Sequence, residues 1–225
     1  LERLVSYRQP FPRSRTVQFL MVDDHAIVRE GLSRIINDTT EINIAAEAST
    51  GEEAVDKINN QKFDLVLLDI SMPGMNGLQT LKEIKKINDN IPVLMLSMHA
   101  EEQYAMRAIK AGASGYLTKD SASNMLVDAI HKIYKGGKFI SQEVAELLIS
   151  DIYHEEEKQS HENLSDREFE IFQLIVKGSS AKNIAKKLGI SDKTVGTYRS
   201  RVLKKMNMNT NSDLIHYAIE NNLVE

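Results

Sequence analysis

Five short apolar runs alternate with longer stretches of helical period over residues 17–134, and this alternation constrains the fold more than any other feature of the sequence. The runs predict strands at VQFLMV (Val17 to Val22), INIAAEA (Ile42 to Ala48), LVLLD (Leu65 to Asp69), PVLMLS (Pro92 to Ser97) and GYL (Gly115 to Leu117). The stretches between them repeat apolar residues three and four positions apart, which is the period of a helix that buries one face. Strands that alternate with helices predict an α/β domain, a doubly wound five-stranded parallel sheet with helices on both faces.

The pattern changes after the fifth helical stretch, roughly Asn124 to Tyr134, where Gly136 and Gly137 interrupt it. A helical period resumes at SQEVAELLISDIY, with Ser141 placed as its N-cap. The next segment, HEEEKQSHEN at 154–163, contains no apolar residue and is therefore predicted to be a solvated connector.

The remainder of the chain is helical in pattern. Ser165 and Glu168 stand at capping-box spacing at the start of a helix that ends at Gly178. A second helix ends at Gly189, and SDKTVGTYRSRVLKKM follows after a very short turn. Helix, short turn and helix, with a basic second helix, is the arrangement that places a recognition helix in the major groove of DNA.

These patterns divide the chain. We predict an extension at 1–16, natural or left over from expression, a doubly wound domain at 17–137, a linker at 138–163 with a helical start and an acidic polar connector, and a small all-α domain at 164–225. The last amphipathic segment, Asp213 to Ile219, is expected to complete the small core rather than form a dimer contact.

Charge and composition support two parts of the chain with different functions. From Leu164 onward ten Lys and Arg oppose seven Asp and Glu, a net charge of +3, which leaves −7 for the preceding residues out of the overall −4. The absence of cysteine excludes disulfides, thiol catalysis and cysteine-ligated zinc. No apolar run is long enough to span a bilayer and the first residues lack the apolar core of a secretory signal, so we expect a cytoplasmic protein without membrane contact.

Polar side chains follow the predicted strands, at the edge where a doubly wound sheet binds its ligands. Asp23 and Asp24 follow the first strand, Asp69 ends the third, Ser97 ends the fourth and Lys119 lies just after the fifth. Carboxylates packed together repel one another unless a cation offsets their charge, and Mg²⁺ prefers such oxygen ligands. One carboxylate could then accept a phosphoryl group, which Lys119 and the Ser97 hydroxyl would stabilise.

Four segments in order, VDDH, LLDISMPGMNG, LSMH and GYLTKD, resemble the motifs of the receiver domain of bacterial two-component response regulators. The resemblance covers about 17–134 and implies a flavodoxin-like form of the sheet. It implies that Asp69 is the phosphoacceptor and that Ser97 and Tyr116 form a switch pair, in which Tyr116 changes rotamer after Ser97 moves toward the phosphoryl group. The residues that it assigns to metal binding and phosphoryl transfer are Asp23, Asp24, Asp69, the backbone carbonyl of Ser71, and Lys119. Asp120 follows the lysine where many receivers carry a proline.

LSDRE and IAKKLGISDKTVGTYRSRVLKKM resemble the LuxR-type helix-turn-helix, and together with the receiver they resemble the NarL/FixJ class. In the second helix Val195, Val202 and Met206 share one face and are predicted to be core. The opposite face supplies the predicted DNA contacts, which are Thr197, Ser200 and Arg201 at base edges, Lys193, Thr194 and Lys204 at phosphates, and Tyr198 at the DNA backbone or packed within the fold.

The class implies several partners. The phosphoryl group is expected from a sensor histidine kinase, and double-stranded DNA is expected to bind a homodimer formed on phosphorylation, with RNA polymerase as a further candidate partner. Autophosphotransfer onto Asp69 would be the only covalent chemistry, so no other enzymatic activity is expected. We also hypothesise that the unphosphorylated receiver hinders the helix-turn-helix.

Other interpretations use the same residues. Asp23 and Asp24 can cap the first helix, and single lysines can belong to a solvated face. A haloacid-dehalogenase-like phosphotransferase would need an Asp where Ser71 stands, and a flavodoxin-like binding module would need a Gly or Ser/Thr-rich loop in place of DDH. A pseudo-receiver that controls transcription without phosphate is the remaining alternative, although the full set of acidic-site residues argues against it.

Overall fold

The computed structural model describes residues 16–98, 102–153, 160–221 and 223. The N-terminal domain is a five-stranded, all-parallel sheet in the order β2-β1-β3-β4-β5. Its strands are β1 (Val17–Val22), β2 (Ile42–Ala48), β3 (Leu65–Asp69), β4 (Val93–Ser97) and β5 (Gly115–Thr118). The predicted doubly wound fold is therefore confirmed, with strand bounds within one residue of those expected. Except for Thr16, the predicted extension lies outside the described residues.

Helices cover both faces of this sheet. They are α1 (Ala26–Asn37), α2 (Gly51–Asn60), α3 (Gly77–Ile87), α4 (Glu102–Lys110) and α5 (Lys119–Tyr134). Helices α1 and α5 pack together on one face, and α2, α3 and α4 pack in sequence on the other. The apolar positions that predicted α3 are buried, Leu81 and Ile84 among them. In α1 the expected face is buried only in part, because Leu32 is buried whereas Ile27 in the first turn is exposed.

Helix α5 begins about five residues before the predicted Asn124. The side chain of Thr118 is its N-cap and accepts a hydrogen bond from the backbone N–H of Ser121 at 3.2 Å. The polar first turn hid this start, because KDSAS shows little apolar periodicity. The consequence is that Lys119 stands in the first turn of a helix, directly beyond the end of β5.

The remaining elements are helical. They are α6 (Gln142–Tyr153), a 3-10 helix (Ser160–Asn163), α7 (Asp166–Val176), α8 (Ala181–Leu188), α9 (Asp192–Lys205) and α10 (Asn211–Glu220). The capping box of Ser165 and Glu168 is present, and Gly178 and Gly189 have φ of 78° and 63°, the left-handed conformation of a helix end. Among the described residues, no helix combines the length and the apolar content that crossing a bilayer requires.

The prediction of a solvated connector at 154–163 is wrong at its C-terminal end. Residues 154–159 lie outside the described residues, but the 3-10 helix that follows buries the His161 side chain to 1 % exposure. The ring packs against residues of α4 and α10, which are distant in sequence, so local composition contains no sign of this burial.

The apolar core has two parts. One lies between the sheet and the α1/α5 layer. The other lies on the α2–α4 side and continues without a break into the C-terminal helices. Tyr104 of α4 and Phe169 of α7 join the two domains in an edge-to-face contact, with ring centroids 5.1 Å apart. The domains therefore pack as one body over this face.

Candidate functional site

Two buried carboxylates and a lysine meet at the carboxyl edge of the sheet. Asp23 follows β1 and Asp69 ends β3, and neighbouring parallel strands bring these two ends together. Both side chains are fully buried. The Nζ of Lys119 lies 2.7 Å from Asp23 Oδ2 and 2.9 Å from Asp69 Oδ2. The structure thus brings together three of the residues predicted for this site.

Asp24 and His25 extend this cluster toward solvent. Asp24 is partly exposed, and His25 Nδ1 lies 2.9 Å from Asp24 Oδ1 and 3.4 Å from Asp23 Oδ1. One potential ligand atom from each of Asp23, Asp24, His25 and Asp69 lies within 4.8 Å of the others. Ser71, two residues beyond Asp69, donates its backbone N–H to Asp69 Oδ1 at 3.4 Å. All predicted members of the acidic pocket are therefore near one another.

Helix capping does not account for the two adjacent aspartates. His25 is the N-cap residue of α1 and makes no side-chain cap bond. Asp23 Oδ1 accepts the His25 N–H at 2.8 Å, which fixes the loop, but Asp23 Oδ2 is directed at Lys119. Capping is thus at most a part of what Asp23 does.

The electrostatics of the pocket are dominated by burial. Burial raises the pKa of the Asp69 carboxyl and the charge of Asp23 raises it further, whereas Lys119 opposes both effects. Burial lowers the pKa of Lys119, but the two carboxylates outweigh burial and the net shift is upward. Lys119 is therefore cationic, and further positive charge would favour the ionised form of Asp69.

The predicted switch residues lie on the two strands beyond Asp69. Ser97 ends β4, and Tyr116 is paired with Met95 across β4 and β5. Both side chains are buried. The Tyr116 N–H donates to the carbonyl of Phe139 at 2.8 Å, so β5 is bonded directly to the segment that leads into α6.

Helices α8 and α9 form the predicted helix-turn-helix. Gly189 ends α8 in the left-handed conformation, and the Ser191 side chain accepts the Thr194 N–H at 3.1 Å as the N-cap of α9. Val195 and Val202 of α9 are buried, as predicted, and so is Met206 at its C-cap. The turn therefore holds the second helix on the core by one face.

The opposite face of α9 carries the predicted DNA contacts. Lys193, Thr197, Ser200, Arg201 and Lys204 are exposed, whereas Thr194 and Tyr198 are partly buried. The Thr197 hydroxyl donates to the carbonyl of Lys193 and the Ser200 hydroxyl to that of Gly196. The Arg201 guanidinium lies 5.6 Å from the centre of the Tyr198 ring, so Tyr198 both packs and orients an arginine. The face is polar, cationic and continuous.

Helix α7 is bonded to the N-terminal domain through polar and charged side chains. Asn76, the N-cap of α3, donates its Nδ2 to Glu170 Oε2 at 2.9 Å, and the same carboxylate pairs with Arg167 at 2.7 Å. Lys82 of α3 lies 2.6 Å from Asp166. These contacts fix the first helix of the C-terminal domain against α3.

The turn of the helix-turn-helix approaches the loop after β3. A Cβ placed on Gly189 would lie 3.3 Å from Cβ of Pro73. Pro73 belongs to the same loop as Ser71, four residues after Asp69. The turn therefore packs close to the acidic pocket.

Arg107 of α4 is an interface residue that the sequence did not reveal. It donates to the carbonyls of Leu164 at 2.8 Å and His161 at 2.7 Å, and its guanidinium lies 4.0 Å from the centre of the Phe169 ring. Burial lowers its pKa, and Asp166, 3.9 Å away, opposes that shift. Its backbone partners lie 54 and 57 positions later in the chain, so no local pattern marks it.

Two families match this chain. Residues 19–131 match the response regulator receiver domain, and residues 162–218 match the LuxR family of bacterial regulatory proteins. These matches agree with the receiver and LuxR-type motifs that the sequence showed. They leave no support for the haloacid-dehalogenase-like or flavodoxin-like interpretations.

Full-length relatives share both parts. The response regulator UvrY of Escherichia coli (strain K12) is 36% identical over 208 residues, covering 92% of this chain and 95% of the relative. The transcriptional regulatory protein DegU of Brevibacillus brevis is 33% identical, covering 93% and 95%. The RcsB response regulator of Salmonella typhimurium has the same fold, with a TM-score of 0.64 at 22% identity, covering 90% and 96%.

The two matched families occur here in one chain, and these two relatives align with more than nine-tenths of it. The chain belongs to the two-component response regulators of the NarL/FixJ class, transcriptional regulators in which a receiver domain is joined to a LuxR-type DNA-binding helix-turn-helix.

Proposed function

We propose that Asp69 is the phosphoacceptor and that a sensor histidine kinase switches this regulator by phosphorylating it. The observation that carries the proposal is the buried pair Asp23 and Asp69 with Lys119 Nζ within 2.9 Å of both. Burying two carboxylates and an ammonium costs several kcal/mol per ion, roughly, unless the charges serve one another or a ligand. Phosphoryl transfer uses each of the three.

The donor set fits a hard divalent cation such as Mg²⁺. Asp23, Asp24, Asp69 and the carbonyl of Ser71 would supply oxygen ligands. Asp23 Oδ2 and Asp69 Oδ2 are buried without a well-aligned hydrogen-bond donor, despite their short distances to Lys119. When bound, the ion would add positive charge beside the carboxylates and the phosphoryl oxygens, which also offsets the raised pKa of Asp69.

The transfer exchanges one bond for another. A carboxylate oxygen of Asp69 forms a bond to phosphorus as the bond from phosphorus to the kinase histidine nitrogen breaks, and the imidazole regains its lone pair. Lys119, already beside Asp69, would then donate to a phosphoryl oxygen together with the Ser97 hydroxyl. Tyr116, on the strand next to Ser97, would change rotamer in response.

DNA is bound by the exposed face of α9 in this proposal. Thr197, Ser200 and Arg201 reach base edges, after the two hydroxyls turn from their helix carbonyls, and Lys193, Thr194 and Lys204 bind phosphates. The Arg201 guanidinium lies over the Tyr198 ring, which would support it in that position. A homodimer formed on phosphorylation would present two such helices to adjacent turns of the duplex.

For the functional division we keep a receiver at 17–137, a linker at 138–163 and a DNA-binding domain at 164–225, with the 3-10 helix at the end of the linker packed between the two domains. A regulator of transcription acts on the chromosome, so we place it in the cytoplasm, with RNA polymerase as a candidate partner. Phosphoryl transfer onto itself is the only covalent step.

In this proposal the structure is the closed form, in which the receiver packs against the DNA-binding domain. Contacts from α3, α4 and the β3–α3 loop hold α7, the 3-10 helix and the turn at Gly189 against the receiver. Phosphorylation would rearrange the loop that follows Asp69 and weaken these contacts, which would free the helix-turn-helix to dimerise on DNA.

Intact mass after incubation with acetyl phosphate and Mg²⁺ tests the phosphoacceptor. We expect a gain of one phosphoryl group in the wild type, and no gain in Asp69→Asn or in the presence of EDTA. Asp64→Asn is the matched control, because this carboxylate at the opposite end of β3 accepts the Gln18 N–H and lies outside the pocket. A phosphoryl group on the Asp69→Asn protein would refute the assignment, and no gain from acetyl phosphate or a cognate kinase would favour the pseudo-receiver.

A further inference from the structure

His161 is a buried histidine for which phosphoryl transfer and DNA binding have no use. Its side chain is 1 % exposed in the 3-10 helix that precedes α7. Nδ1 lies 2.9 Å from the Tyr217 hydroxyl and Nε2 lies 3.4 Å from Gln103 Oε1. The neutral ring satisfies both partners if Nε2–H donates to Gln103 and Nδ1 accepts from Tyr217. A protonated ring could donate to both, but it would be a buried cation.

The ring lies between the two domains. Gln103 is on α4 of the receiver, whereas Tyr217 is on α10 of the DNA-binding domain. Phe169 of α7 covers a further side, with ring centroids 6.3 Å apart. Separation of the domains would remove α4 from the ring and expose it to water, while Tyr217 could remain beside it.

The charged groups around His161 do not favour a positive charge on its ring in addition to that of Arg107. From α4, Arg107 donates to the backbone carbonyl of His161 itself. From α9, Lys205 Nζ lies 3.4 Å from the carbonyl of Asn163. Glu162 is the next residue along the chain, and Asp166 of α7 is engaged by Lys82. Within the described ranges, no carboxylate lies within ion-pair distance of the His161 ring.

We propose that His161 is a proton sensor of the domain interface, whose protonation separates the receiver from the helix-turn-helix and so opens the regulator in acid without phosphorylation. The inference rests on the closed form proposed above. It does not depend on Asp69 being the phosphoacceptor.

The direction and size of the effect follow from linkage. Burial, and secondarily the charge of Arg107, lower the pKa of His161 to about 4 in the closed form. Exposure restores the ordinary value of about 6.5, so the open form binds the proton more tightly. The population of the closed form is constant above about pH 7 and decreases as the pH falls below about 6.5. At about pH 5.5 the ratio of open to closed protein rises about tenfold.

The chain contains no cysteine, so two labels can be attached specifically for energy transfer between the domains. Lys86→Cys on α3 and Ser212→Cys at the start of α10 place them at exposed positions on either side of the interface. The protein is measured without phosphate donor or DNA at about pH 7.5 and 5.5. We expect the open-to-closed ratio to rise about tenfold in acid and to stay constant in a labelled His161→Gln protein, whose neutral amide does not titrate in this range.

A second measurement is independent of that variant. Nuclear magnetic resonance titration of the His161 ring in the wild type should give a pKa well below the ordinary value while the labels report the closed form. An ordinary pKa in the closed form would overturn the proposal, and so would an equal acid response in wild type and His161→Gln. Asp69→Asn should open in acid like the wild type, which separates failure of this proposal from failure of the phosphoacceptor assignment.

Discussion

Arg29 of α1 holds the backbone beside the acidic pocket. Its NH1 donates to the carbonyl of Asp23 at 2.7 Å, and its Nε donates to Glu47 of β2 at 2.9 Å. A group that orients a metal ligand typically contributes about 10- to 100-fold to metal affinity. We therefore expect Arg29→Ala to weaken binding of Mn²⁺, a paramagnetic substitute for Mg²⁺, by about tenfold in titrations followed by electron paramagnetic resonance.

Arg34→Ala is the matched control, because Arg34 lies on the same helix but pairs with Glu30 at the surface. Unchanged Mn²⁺ affinity is expected there. Equal Mn²⁺ affinities of the wild type, Arg29→Ala and Arg34→Ala would show that Arg29 supports the fold of the loop without positioning Asp23.

For single residues, the sequence predicted the acidic pocket but not the interface between the two domains. Asp23, Asp69 and Lys119 meet because the carboxyl ends of parallel strands share an edge, a rule that needs only the strand assignment. Arg107 and His161 owe their positions to the docking of two domains, which no local pattern encodes. Their roles are set by the tertiary structure.

The segment before α6 forms an added edge to the sheet at β5. Phe139 donates its N–H to Ser114 and accepts from Tyr116, and its carbonyl lies so close that a Cβ on Gly115 would be 2.7 Å from it. Gly115→Ala should therefore displace the segment and destabilise the receiver by about 1–3 kcal/mol in urea unfolding. Amide hydrogen exchange at Tyr116 and Phe139 should become faster.

Gly31→Ala provides the comparison within the same domain. Gly31 is inside α1, and nothing lies within 4 Å of an added Cβ. The substitution should stabilise the receiver by roughly 0.4–1 kcal/mol. If the two variants were equally stable, the close contact at Phe139 would not determine the position of the segment.

The elements that the sequence predicted best are those whose own residues fix them. The strands and the capped helices α7 and α8 need only apolar runs, caps and terminal glycines. The start of α5 was placed late because its first turn is polar. The 3-10 helix was missed because its only buried side chain, His161, is polar and is covered by distant helices.

At the scale of the whole molecule, the apolar core continues from the receiver into the C-terminal helices, which favours the closed form of the proposed switch. The apolar surface that joins Tyr104 to Phe169 would be exposed on opening, and the charged contacts at its edge determine how readily opening occurs. Under the proposed switch DNA binds only the open form, so DNA binding must supply that free energy. Weakening one edge contact should then raise the affinity for DNA without altering α9.

Arg107→Ala makes this prediction specific. It removes two charge-assisted hydrogen bonds, to Leu164 and His161, and the contact with Phe169, each bond contributing about 1.5–3 kcal/mol. The open fraction should rise at least tenfold, and unphosphorylated protein should bind mixed-sequence duplex DNA correspondingly more tightly in fluorescence anisotropy at low salt. Lys57→Ala, which removes a cation paired with Glu53 of the same helix α2, should bind like the wild type. Arg107 lies on α4 of the receiver, so its substitution leaves every predicted DNA-binding residue in place. If a folded Arg107→Ala protein bound DNA with wild-type affinity, the closed form would not restrain DNA binding.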